Sequence, residues 1–138
     1  MGVASFLGWC TAAAVLSTLM NFVLKQVSRD YVKAISARRP SFASAYRNLV
    51  RLVVRTHPVF GFAALAAALA HVSYALLHGI VSLTGAATLV LLCACVSLGA
   101  FGRYVVQRPR GWWIHLHRAA ALLASLGLVL HVPLKAFV

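Results

Sequence analysis

Acid is almost absent from this chain: Asp30 stands alone against 13 Lys and Arg in 138 residues. Sixty-two per cent of the residues are apolar and ten per cent are charged, which excludes an ordinary soluble domain and points to a membrane protein. A basic excess can be the electrostatic footprint of a nucleic-acid binder. Here the basic residues sit between apolar runs, as they do in the cytoplasmic loops of membrane proteins. Membrane lipid is therefore the expected partner, and nucleic acid is not.

Other absences narrow the chemistry. Cys10, Cys93 and Cys95 all fall in apolar segments with no CxxC pair, so neither a disulfide framework nor a thiolate zinc site is expected. They read as small buried side chains. No CxxCH occurs, so any haem would not be thioether-linked. No glycine-rich dinucleotide fingerprint occurs either. The N-terminal stretch MGVASFLGWCTAAAVLSTLMNFVL has no basic residues ahead of its apolar run. It reads as a retained helix with its N-terminus outside rather than as a signal peptide.

A helix needs roughly twenty apolar residues to cross a bilayer core. Four runs qualify, at about 4–24, 58–78, 84–102 and 112–132. The expected fold is an all-α membrane protein, a single transmembrane domain over 1–138 built as a four-helix bundle. Between the first and second runs lies a basic link, 25–57, with Lys25, Arg29, Lys33, Arg38, Arg39, Arg47, Arg51 and Arg55. The link between the third and fourth adds Arg103, Arg108 and Arg110, whereas the one between the second and third carries no charge. The positive-inside rule places both basic links in the cytoplasm and both termini outside, in the periplasm. Arg47, Arg51 and Arg55 recur every four residues, which puts them on one helical stripe. The stripe suits an interfacial helix meeting anionic lipid head groups; alternatively, Arg51 or Arg55 neutralises the carboxylates of a cofactor. Pro58 is a place for a kink, since proline removes a backbone hydrogen bond.

Six histidines stand out in so apolar a chain, because a titratable side chain inside a membrane helix is costly and by default functional. His57 and His71 are fourteen residues apart, and so are His117 and His131. Fourteen helical residues rise about 21 Å and miss a whole number of turns by about forty degrees, so each pair shares a face at two depths. The second and fourth helices run in the same direction, so His57 faces His117 and His71 faces His131. Two facing imidazoles can ligate one haem iron axially between helices 2 and 4. Two levels make two b haems, or one if a single level is used. Gly61, Gly99, Gly102 and Gly127 leave room for a flat macrocycle or for close helix packing. Arg55, Arg103 and Arg118 lie where propionates would emerge at the cytoplasmic side, and Lys135 where outer ones would. His115 is about two hundred degrees around from His117 and is expected at the interface. His78 shares the face of His71 and is expected to be an accessory group near the outer boundary, a replacement ligand for His71 being the other reading.

His57 and His71 on one helix, followed by GRYVVQRPRGWWIHLHR and a helix ending LVLHVPL, resemble the haem-binding core of bacterial transmembrane b-type cytochromes. The nearest echoes are the ferric-reductase-like membrane domains and the cytochrome b of quinol-oxidising complexes. The resemblance covers roughly residues 56–135. It implies bis-histidine iron ligation by His57, His71, His117 and His131, with electrons passing across a bacterial inner membrane. Since the dinucleotide fingerprint is missing, the electrons are expected to be exchanged with a quinol or quinone, a periplasmic redox partner or another redox subunit, and the chain to be an electron-transfer subunit rather than a complete enzyme. The competing expectation is a haem-free anchor or assembly subunit, or a small transporter, with structural histidines.

Overall fold

The computed structural model describes residues 2–80, 82–107 and 111–136. The described residues are helical almost throughout: α1 (Val3–Val27), a π-helical stretch Ser28–Val32, the short α2 (Lys33–Ile35), α3 (Pro40–Leu77), α4 (Leu83–Ala100) continued by a π-helical stretch Phe101–Val106, and α5 (Trp112–Ala136). Four of these helices are long and apolar enough to cross a bilayer, so this is an all-α, multi-pass membrane fold. No strand forms among the described residues.

The second spanning helix departs from expectation. It begins at Pro40, not near residue 58, and its 38 residues extend roughly 57 Å, nearly twice a bilayer core. The basic stretch 25–57 is therefore mostly two helix ends joined by a short turn. Hydropathy marks where a helix enters lipid, whereas the helix itself starts where a proline at the first helical position is tolerated. The Tyr46 hydroxyl donates to the Leu24 carbonyl at 2.7 Å and ties the two ends together. The helix runs unbroken through Pro58, whose missing N–H removes the usual partner of the Val54 carbonyl. Arg47, Arg51 and Arg55 are all exposed on this rod.

Each helix end has a local cause. α3 stops at a glycine in the left-handed region, Gly79 (φ 68°). There the Ile80 N–H bonds the Ala75 carbonyl at 2.8 Å and the Gly79 N–H bonds that of Leu76 at 3.2 Å, a Schellman closure that satisfies the last carbonyls. α4 starts at Ser82, whose hydroxyl accepts the Gly85 N–H at 3.1 Å, an N-cap typically worth about 1 kcal/mol.

The spanning helices form two antiparallel pairs, α1 with α3 and α4 with α5, joined mainly along α3 and α4. The backbones of α3 and α5 hardly approach one another. Mostly small residues make the close contacts: Val15, Ala64 and Ala68 form the core cluster together with Leu92. Ala64 is 1% exposed while Leu77 and Leu83 are 84% and 87% exposed. Mainly small side chains inside and most large apolar ones outside are what lipid, not water, asks of helices, because burying leucine gains little where the solvent is itself apolar.

Candidate functional site

The four histidines spaced by fourteen residues meet in two pairs across the gap between α3 and α5. The His57 and His117 ring centres lie 6.1 Å apart at an interplanar angle of 82°. Those of His71 and His131 lie 6.4 Å apart at 81°. The level-by-level pairing read from the spacing is thus how the helices place them, with Ala64, Ala68 and Leu92 between the levels. An imidazole nitrogen sits about 2 Å from a bound metal and about 1 Å from its own ring centre, so two rings sharing one ion are roughly 6 Å apart. Both separations are of that size.

The surroundings of the rings follow a pattern that spacing alone does not reveal. Nδ1–H of His71 donates to the Ala4 carbonyl of α1 at 2.9 Å, and Nδ1–H of His117 donates to the Cys95 carbonyl of α4 at 2.9 Å. A carbonyl can only accept, so both rings carry their proton on Nδ1 and present Nε2 as the lone-pair nitrogen. Four residues beyond each carbonyl is a glycine. A Cβ on Gly8 would lie 3.5 Å from Cε1 of His71, and one on Gly99 would lie 3.1 Å from Cε1 of His117. The missing side chain lets the ring reach a carbonyl that its own helix already uses.

His131, on α5, lies beside the start of α4. The hydroxyls of Thr84 and Ser82 lie 3.1 Å and 3.3 Å from its Nδ1, and Gly85 abuts Cε1. His57 differs: its Nδ1 is buried without a hydrogen bond of good geometry, although the backbone of Thr18 stands beside it. Four residues beyond Thr18 is Phe22, not glycine.

A cavity of about 390 Å³ borders His71 and His131, lined by all four spanning helices and including Gly8, Gly85, Thr88 and Leu128. That volume is in the range of small-molecule and cofactor sites.

The expected glycines divide. Gly99 seats His117, Gly127 packs against Thr88, Gly102 packs against Trp113, and Gly61 faces open space. Arg55, Arg103 and Arg118 are all exposed. Arg103 lies over the Tyr104 ring at 5.7 Å, while Arg118 stands within electrostatic reach of Lys25, which in turn reaches His57. Asp30, the one acid, accepts from Gln26 Nε2 at 2.9 Å, so the cations near His57 and His117 have no side-chain counter-ion there. His78 turns back on its own helix end. It stacks on Tyr74 at 4.1 Å, and its Nδ1–H donates to the Tyr74 carbonyl at 2.8 Å. His115 is exposed. The Lys135 side chain, Arg108 and Arg110 lie outside the described residues.

Sequence reasoning missed Gly8, Gly85, Ser82, Thr84 and Lys25. The serine carried a legible signal, a capping residue ahead of an apolar run; the glycine seats depend on which helices are neighbours. No protein-family model matches the chain, and no curated protein or solved structure matches it either.

Proposed function

We propose that this chain is a small membrane cytochrome b. It holds one b haem between His57 and His117 and another between His71 and His131, and it conducts electrons across a bacterial inner membrane as a subunit of a larger redox complex. The single observation that carries the reading is the meeting of four intramembrane imidazoles in two pairs at 6.1 and 6.4 Å. Hydrogen-bonded imidazoles that are also helix glue explain one such contact; two at matched depth, three of the four with Nδ1 engaged, suit axial ligation better.

Among the described residues no three or more His, Cys, Asp or Glu side chains cluster. A bare ion would find two protein donors per level, whereas a macrocycle that brings its own equatorial nitrogens needs only two. A haem iron with two axial imidazoles exchanges single electrons and offers no open position to oxygen. The chain's part is to fix the proton on Nδ1, to orient the rings and to keep each level dry. Lys25 and Arg118 suit propionates at the basic end, with Arg55 and Arg103 as outlying candidates. The basic end belongs in the cytoplasm by charge. The electron donor or acceptor is a quinol, a quinone or a neighbouring redox subunit.

The test is the reduced-minus-oxidised visible spectrum and haem-to-chain ratio of the purified protein. Two b haems per chain are expected. His71→Ala and His131→Ala should each abolish one centre, and His57→Ala and His117→Ala the other. A colourless preparation would leave the haem-free anchor or transporter, and retention of both haems in His131→Ala would refute the pairing.

A further inference from the structure

The residue whose carbonyl holds His117 also touches it with its side chain. Nδ1–H of His117 donates to the Cys95 carbonyl at 2.9 Å, and the Cys95 sulfur lies 3.6 Å from the same nitrogen. The thiol in turn donates to the His117 backbone carbonyl at 3.7 Å. Histidine and cysteine thus bond each other in both directions across the interface of α4 and α5. A thiol is a weak donor and its sulfur a weak acceptor, but the two contacts act at different points, one on the ring and one on the backbone that carries it. Cys95 is 8% exposed, so water does not compete for either. The seat of His71 supplies a comparison: there the carbonyl belongs to Ala4, with Gly8 one turn on, and a methyl group stands where His117 has a thiol.

We infer that Cys95 is a positioning residue through its thiol, which sets the plane of the His117 ring that its backbone carbonyl only anchors. This rests on the proposed haem ligation. A single hydrogen bond fixes one point of an imidazole and leaves the plane free to swing about it; a sulfur beside the same nitrogen and a bond to the histidine's own backbone resist that swing. The need is greater at this level than at the other. His71 and His131 both have close partners at Nδ1, whereas His57 has only the Thr18 backbone beside it. The 82° setting of the two rings therefore depends on how firmly His117 is held. Orientation of an axial ligand by its outer contacts is one of the protein's levers on a metal. In low-spin ferric haem the angle between the two imidazole planes governs the splitting of the iron d orbitals, and the largest g value is greatest when the planes are perpendicular.

Electron paramagnetic resonance of the oxidised holoprotein, as wild type, Cys95→Ala, Cys95→Ser and Cys93→Ala, tests this. The signal of the His57/His117 centre is the one that His57→Ala abolishes. Cys95→Ala leaves the backbone carbonyl in place, so both haems should stay, while the largest g value of that centre falls and its line broadens. Cys95→Ser keeps a donor and an acceptor there and should bring the signal back towards the wild type. Cys93, about two hundred degrees around α4 from Cys95, is the control: Cys93→Ala should move neither signal, and the His71/His131 signal should stay unmoved throughout. Four results overturn the assignment: an unchanged signal in Cys95→Ala, as when the carbonyl alone sets the ring; a Cys95→Ser signal no nearer the wild type than that of Cys95→Ala; an equal shift in Cys93→Ala or at the His71/His131 centre; or loss of the His57/His117 haem from both Cys95 variants, which marks a packing residue. Wild-type protein without two haems defeats the ligation reading before any variant is compared.

Discussion

Gly99 gives the sharpest test of how the rings are held, because one added methyl group meets a known atom at a known distance. In Gly99→Ala the new Cβ would lie 3.1 Å from Cε1 and 3.3 Å from Nδ1 of His117, so the ring must retreat by a few tenths of an ångström. The bond at stake is the 2.9 Å contact to the Cys95 carbonyl, worth about 1 kcal/mol net. Against this, alanine in a helix interior gains at most about 1 kcal/mol over glycine. The two nearly cancel, so global stability should barely change while the His57/His117 centre alone is perturbed. Gly8→Ala, at 3.5 Å from His71, is ordinary contact and should perturb its centre least. Gly85→Ala should be the worst, since its Cβ would lie 2.8 Å from the Ser82 hydroxyl as well as 3.0 Å from His131, and it endangers an N-cap of about 1 kcal/mol. Thermal melts in detergent, read beside haem content and the visible spectrum of each centre, give both quantities. Equal effects of all three substitutions, or a Gly99→Ala protein that melts lower with unchanged spectra, would refute the seat.

Two shorter predictions follow from the same geometry. His78→Ala should retain both haems and lower the melting temperature only by the loss of one cap bond, roughly 1 kcal/mol; a lost haem would make His78 a ligand after all. Lys25→Gln should steady the haem-free protein by relieving the repulsion between Lys25 and Arg118, yet weaken haem retention at the basic end. Retention unchanged in a haem-loss assay would remove Lys25 from the propionate site.

The pairing of His57 with His117 and of His71 with His131 is legible in the sequence because helical period converts a fourteen-residue interval into a shared face, and because polar groups are scarce in such runs. The start of α3 is not. Apolarity reports where lipid begins, and Pro40, the local signal for a helix start, lies eighteen residues earlier than the run it serves. The seats are legible least of all. That Gly8 belongs to His71 and Gly99 to His117 depends on α1 lying against α3 and α4 against α5, which no interval within one helix states. His78 shows the converse: it shares the face of His71 by period, but Gly79 ends the helix beside it and the ring turns back onto Tyr74.

The repeat in the sequence is symmetrical, while the surroundings of its two levels are not. At the level of His71 and His131 a carbonyl holds one ring, and two hydroxyls stand at Nδ1 of the other. At the level of His57 and His117 a carbonyl holds one ring, the other has the Thr18 backbone beside it, and Lys25 with Arg118 adds positive charge that Asp30 does not answer and that the proposed propionates would meet. Positive charge in a low-dielectric region favours whichever state of a neighbouring centre carries less positive charge. On the proposed reading that state is the reduced one, so the basic-end centre should hold its electron more tightly than the far one. Two sites made from the same spacing thereby differ in electron affinity, and the difference comes from Lys25 of α1 and Arg118 of α5, which the histidine interval does not specify.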